Sequence, residues 1–349
     1  MRAVVWYGKK DVRVENREIK ELQDHELKVK VAWAGICGSD LHEYDHGPIF
    51  IPVEDPDPIT GGQAPLILGH EFSGVVEEIG SSVKDVKVGD RIAVYPIITK
   101  GLKDSKEDVF DGFSCLGLHL DGGFADYAIV PEKHAYKLPD SLSLEEGALM
   151  EPAAVAVQAV KEAELTIGDT VAVFGSGPIG LLTIMAAKAA GATNIIALDI
   201  SETRLDKASQ LGATHIINSS KVNPVEEIKR ICPNGVDIAF EVAGVESTFK
   251  QAIEATKIRG LVMIVSIFSG NISWNPMDLT NGGVKVMATL AYEPSTFQQT
   301  IDLIANGQLE AKKVITDHIE LEDIIEKGFE ALINDKSQAK ILVKLSGDN

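Results

Sequence analysis

The stretch from Thr170 to Asp199 constrains the fold of this 349-residue chain more than any other. Val171-Ala172-Val173-Phe174 is an apolar run of strand character. It ends in Gly175-Ser176-Gly177-Pro178-Ile179-Gly180, after which an apolar segment of helical character begins. No charge falls between Thr170 and Lys188, so a membrane span is the competing reading. Gly175, Gly177, Pro178 and Gly180 in its middle favour a strand, a tight turn and a helix instead. The same alternation continues through Asn194-Ile195-Ile196-Ala197-Leu198, a helix from Glu202, Val236-Asp237-Ile238-Ala239-Phe240 and Gly260 to Val265. Parallel β–α–β units with helices on both faces produce this pattern.

The glycines match G-x-G-x-x-G in the context its mechanism needs. The first, Gly175, permits the tight turn; Gly177 lets backbone approach a pyrophosphate; Gly180 lets helix and strand pack closely. Pro178 and Ile179 open the helix, whose free amides face phosphate charge. Asp199 ends the next strand, nineteen residues after Gly180. A carboxylate there accepts hydrogen bonds from ribose hydroxyls and repels a 2′-phosphate, which predicts NAD over NADP. Arg204 is a further candidate for the ribose, or for partial rescue of NADP binding. The alternative is a glycine-rich turn in an α/β protein that binds no dinucleotide.

Before residue 153 the chain reads differently. Val12-Arg13-Val14, Leu27 to Trp33 and Gly74 to Ile79 are strand-like, and turn signals such as Val88-Gly89-Asp90 separate such runs. Prolines at 48, 52, 56 and 58 mark Gly47 to Gly62 as a loop, and residues 99 to 123 read as a second one. Beyond about 294 a helix from Thr296 to Asn306 and a strand from Lys340 to Lys344 remain.

The chemistry concentrates in Gly35-Ile36-Cys37-Gly38-Ser39-Asp40-Leu41-His42 and Gly69-His70-Glu71-Phe72. Thiolate, imidazole and carboxylate are zinc ligands, and a catalytic zinc takes three of them and keeps one position open. Cys37 and His70 supply two, with Glu71 and Glu151 as carboxylate candidates. Read from these residues alone, a buried thiol and a core histidine remain the alternative.

Taken together, the Cys37 and His70 motifs, Val88-Gly89-Asp90-Arg91 and the Gly175–Gly180 fingerprint resemble the zinc-dependent medium-chain alcohol dehydrogenase family. His42-Glu43-Tyr44 with Gly47-Pro48-Ile49-Phe50-Ile51-Pro52 is similar to its (R,R)-2,3-butanediol branch. Sorbitol and other polyol dehydrogenases are near neighbours, and L-threonine dehydrogenase shares the scaffold. The resemblance implies an α/β chain with a GroES-like β-rich catalytic domain over 1–152, a Rossmann doubly wound parallel sheet over 153–293, and a return to the catalytic domain over 294–349. It implies that Cys37, His70 and Glu151 bind zinc, with Glu71 as an exchanging ligand and Asp40 orienting the histidine. It gives Ser39 and His42 the two ends of a proton path over the nicotinamide ribose. Lys340 is the expected basic partner of Asp40, with a surface ion pair as the plainer reading. Many relatives carry four closely spaced cysteines for a structural zinc where this chain has only Cys115, so one zinc per chain is expected.

Composition narrows the partners. Asp and Glu number 52 against 33 Lys and Arg, a formal charge of −19 that disfavours nucleic acid and anionic membrane. Three cysteines make no disulfide framework and predict a reducing, cytoplasmic setting. The expected substrate is a small alcohol or ketone: Ile49 and Phe50 suit a small apolar diol such as butanediol better than sorbitol. A homodimer or homotetramer is expected, with Gly260 to Val265 as an edge strand that can pair between subunits.

Overall fold

The computed structural model describes residues 1–101 and 105–347. Residues 102–104, part of the expected 99–123 loop, lie outside the described residues. The chain divides into two compact units. One comprises residues 1–152, 292–306 and 315–349, and the other residues 153–291 and 307–314. Residues 307–314 thus belong with the second unit, where Leu309, Ala311 and Val314 are buried.

In the first unit, a seven-stranded sheet is centred on Glu26–Gly35. This strand pairs antiparallel with Glu71–Ile79 and with Lys340–Lys344. Its alternate and flanking apolar residues, Leu27, Val29, Val31, Ala32 and Ala34, are all wholly buried. Two registers at its C-terminal end gather the polar residues. Gly35 lies opposite Glu71 on one side and opposite Leu342 on the other. Continuing the ladders by one residue to His70 and by two to Cys37 and Lys340 brings all three to one end of the sheet. A side chain at Gly35 would collide with the Glu71 carboxylate, which explains the glycine.

The Gly47 to Gly62 segment is irregular, as expected. The 99–123 region is not merely a loop. Phe113–Cys115 pairs with Ile97–Thr99, and Lys106–Phe110 is a short helix capped by Ser105. The Asp57 carboxylate ties the two segments together, accepting from Ser114 Oγ at 2.8 Å and from the Thr60 backbone and hydroxyl at 2.7 Å each. Hydrogen bonding between elements distant in sequence leaves no local pattern, so sequence reading registers only the glycines.

The second unit holds a six-stranded parallel sheet. Its order is His215–Asn218, Asn194–Asp199, Thr170–Phe174, Val236–Glu241, Thr256–Ile264, Lys285–Ala288. This is the doubly wound order, with strand order reversing beside Thr170–Phe174. Phe174, Ile196, Ala239 and Val262 are wholly buried in its core. The Gly260 to Val265 segment is not an edge: Thr256–Ile264 runs between two other strands, and Lys285–Ala288 is the outer one. The Thr170 to Lys188 segment forms strand Thr170–Phe174 and helix Pro178–Ala190. Among the described residues no helix is long and apolar enough to cross a membrane.

Candidate active site

Cys37 caps the N-terminus of helix Gly38–His46. Its backbone N–H donates to Asp40 Oδ2 at 2.9 Å, which fixes the first turn. Asp40 therefore has Oδ1 to spare, and this atom lies 3.7 Å from His70 Nδ1. Both atoms are buried and neither closes a hydrogen bond. On its other edge, His70 Nε2 lies 3.1 Å from Ser39 Oγ. A proton held on Nδ1 toward Asp40 leaves the Nε2 lone pair for a metal. One donor atom each of Cys37, His70 and Glu71 lies within 4.8 Å of the others, the one such group among the described residues.

Glu151 falls outside that compact group but is a close neighbour. It stands in the first turn of helix Met150–Glu162, with its carboxylate accepting from Tyr292 Oη at 2.9 Å. The two carboxylates differ in their partners. Glu71 is wholly buried and takes both oxygens to Lys340 Nζ, at 2.8 and 2.7 Å. Lys340 Nζ also donates to the Ile36 carbonyl at 2.9 Å. The expected Lys340–Asp40 pair is thus replaced by a Lys340–Glu71 pair, and it is buried rather than on the surface. The strand register decides this, because it sets Lys340 against the Cys37 end of the sheet. Glu151 has no ion pair among the described residues.

The electrostatics call for a cation. Burial pushes the Asp40 carboxyl up to about 6 and the Glu151 carboxyl up to about 7. Burial alone would lower the His70 pKa, but Asp40, Cys37 and Glu151 together hold it well above the ordinary value. Three carboxylates and a thiol thus surround one lysine and one imidazole. A buried cluster of this sign, with soft and hard donors converging, fits zinc.

Helix Gly38–His46 carries two more groups of interest. His42 is half-buried, and burial, then the charge of His46, lowers its pKa. Glu43 has no role assigned from the sequence and is wholly buried. Its carboxylate accepts from the backbone N–H of Ile49 at 3.1 Å, of Ile51 at 3.3 Å and of Phe50. The first residues of the Pro-rich loop are therefore wrapped around one carboxylate. Ile49 stays half exposed.

In the second unit, Gly175 has φ of +107°, and a side chain at Gly180 would meet the Gly175 carbonyl. Helix Pro178–Ala190 has no side-chain cap on its N-terminal amides. Asp199 Oδ2 accepts from Ser176 N–H at 2.8 Å, and Oδ1 from Ile200 and Ser201 at 2.8 and 2.9 Å. The acid is thereby held beside the glycine turn, with lone pairs left for a ligand. Arg204 sits in the first turn of the next helix, Glu202–Leu211.

Comparison with known proteins agrees with this architecture. Residues 23–140 match the alcohol dehydrogenase GroES-like domain, and residues 178–306 match the zinc-binding dehydrogenase model. The chain belongs to the zinc-binding alcohol dehydrogenase family and is an oxidoreductase. It is 46% identical over 345 residues to an (R,R)-butanediol dehydrogenase of Bacillus subtilis, covering 99% of each chain. A crystal structure of 2R,3R-butanediol dehydrogenase from the same species superposes with a TM-score of 0.92 at 46% identity, covering 98% of this chain and 99% of that one. A sorbitol dehydrogenase of Bacillus subtilis is 36% identical over 329 residues, 92% of this chain and 91% of the relative.

Proposed function

We propose that this chain is a zinc- and NAD-dependent dehydrogenase that interconverts (R,R)-2,3-butanediol and acetoin. The observation that carries the reading is the 46% identity along 99% of an (R,R)-butanediol dehydrogenase. The convergence of Cys37 and His70 with two unlike carboxylates supports it. Sorbitol is the second reading, favoured by the 36% relative. The apolar Ile49 and Phe50 of the neighbouring loop count against it, since a polyol prefers a polar lining.

Zinc would be held by Cys37, His70 and Glu151, with Glu71 in reserve. The contact group alone would choose Glu71. Charge argues otherwise, because Lys340 already compensates Glu71 and leaves Glu151 without a cation. When bound, the metal supplies a Lewis acid that eases ionisation of a hydroxyl. The chain's own groups do the rest. Asp40 holds the His70 tautomer, Ser39 accepts the hydroxyl proton, and His42 releases it to solvent. Asp199 favours NAD because its buried-side hydrogen bonds fix a negative charge where a 2′-phosphate would lie. One zinc per chain is supported by Asp57, which holds the 97–115 lobe by hydrogen bonds. The three free cysteines support a cytoplasmic setting. A homodimer or homotetramer is supported by the outer strand Lys285–Ala288, on which Met287 is exposed.

The deciding experiment is oxidation of separated 2,3-butanediol stereoisomers, and of sorbitol, with NAD or NADP, alongside metal analysis of the same sample. The expected result is turnover of the (R,R) isomer with NAD and about one zinc per chain. Preference for sorbitol would overturn the substrate, and two tightly held zinc ions would overturn the metal count.

The proton path has its own test. Burial lowers the His42 pKa, so the imidazole stays neutral and able to accept a proton to lower pH than a free histidine would. Diol oxidation should then hold its rate to correspondingly lower pH. His42→Ala should slow oxidation by about 100-fold, the low end for a positioned acid–base group, and change the acid limb. An unchanged rate and pH profile would remove His42 from the path.

A further inference from the structure

The sole hydrogen bond to the Glu151 carboxylate among the described residues comes from Tyr292, 141 positions away. Tyr292 is wholly buried and its ring is fixed on several sides. The Tyr95 and Phe297 rings lie 5.6 and 5.8 Å away, and Tyr95 Oη donates to the Tyr292 carbonyl at 3.2 Å. Tyr95 is itself stacked on His134, whose Nδ1 lies 2.8 Å from the Tyr95 carbonyl. The phenol is thus aimed by packing, and it cannot turn away without opening a void.

We propose that Tyr292 is the positioning residue that makes Glu151, rather than Glu71, the carboxylate that binds the metal. This rests on the zinc reading above. The two carboxylates have partners of different kinds. Lys340 brings a full positive charge and occupies both oxygens of Glu71. Tyr292 brings a neutral donor and occupies only Oε1 of Glu151. A neutral hydrogen bond orients the group without discharging it, so Oε2 keeps its charge and its lone pairs for a metal. Phenylalanine would fill the same aromatic cluster without a buried hydroxyl that must be satisfied. The tyrosine hydroxyl is therefore not required by the packing.

Tyr292→Phe tests this, because it keeps the ring and removes the donor. Zinc affinity is measured by competition with a coloured chelator, and the visible spectrum of the cobalt-substituted protein reports ligand geometry. Tyr292→Phe should weaken zinc binding by about 10- to 100-fold and alter the cobalt spectrum, with the thermal midpoint little changed. Tyr95→Phe, which removes the bond to the Tyr292 carbonyl and keeps the Tyr292 hydroxyl, should leave both metal readouts unchanged. In a Glu151→Ala background, Tyr292→Phe should have no further effect on zinc affinity. Wild-type affinity and spectrum in Tyr292→Phe would overturn the proposal. Wild-type affinity in Glu151→Ala would overturn it too, while leaving a Cys37, His70 and Glu71 site standing. A wild-type protein that binds no zinc would overturn the metal reading itself.

Discussion

Cys37→Ala is expected to yield a folded protein that holds no zinc and has lost turnover, and His70→Ala is expected to do the same. Each removes one of the two donors that stand at the meeting ends of paired strands, beside Asp40 and Ser39. Two remaining protein ligands do not hold a catalytic zinc tightly. Loss of Lewis-acid stabilisation is worth several kcal/mol, so the rate should fall by about three orders of magnitude or more. Circular dichroism checks the fold, metal analysis the zinc, and steady-state assay the rate. Either variant retaining zinc and turning over at more than about a tenth of the wild-type rate would end the assignment of that ligand.

Lys340→Ala is expected to destabilise the first unit by about 3–5 kcal/mol, the cost of breaking a buried ion pair from one side. Lys340 is 2% exposed and Glu71 is 0% exposed, so no solvent reaches the carboxylate that is left behind. The same substitution strands the Ile36 carbonyl, which has accepted from Lys340 Nζ at 2.9 Å. Urea unfolding followed by tryptophan fluorescence measures the effect, since Trp6 and Trp33 both lie in the first unit. Lys340→Met combined with Glu71→Gln should recover most of the loss, because the double variant leaves no isolated charge. A loss below about 1 kcal/mol for Lys340→Ala would mean that the pair is no stronger than one at the surface.

The residues behind these two effects are not equally legible in the sequence. Cys37 and His70 stand in short runs that bring thiol, imidazole, hydroxyl and carboxylate together, so their chemistry is legible as text. Lys340 sits in an ordinary strand, Lys340–Lys344, and its partner cannot be read there. The resemblance points to Asp40, whereas the ladders bring Lys340 to Glu71. Asp40 has already spent one oxygen on the helix cap at Cys37. Glu43, Asp57 and Tyr292 are harder still. Each acts through a hydrogen bond to a backbone or side chain whose position is set by packing, and no residue spacing encodes it.

The second unit shows the opposite case. The apolar strand, the three glycines and Asp199 lie within thirty consecutive residues, and short-range geometry alone brings them together. That successive parallel strands join by right-handed crossovers follows from the β–α–β alternation. Which strand lies at the edge does not follow, so the edge belongs to Lys285–Ala288 and not to the more apolar Gly260 to Val265 segment.

By itself the sequence determined the kinds of unit and the dinucleotide turn, because each depends on residues close together in the chain, and it offered donors for the candidate metal in separate short motifs. Tertiary structure decided which carboxylate is compensated by a lysine and which is aimed by a phenol. The physical reason is that charge compensation in a buried site depends on distance in space. Register brings residue 340 to residue 71, and aromatic packing brings residue 292 to residue 151.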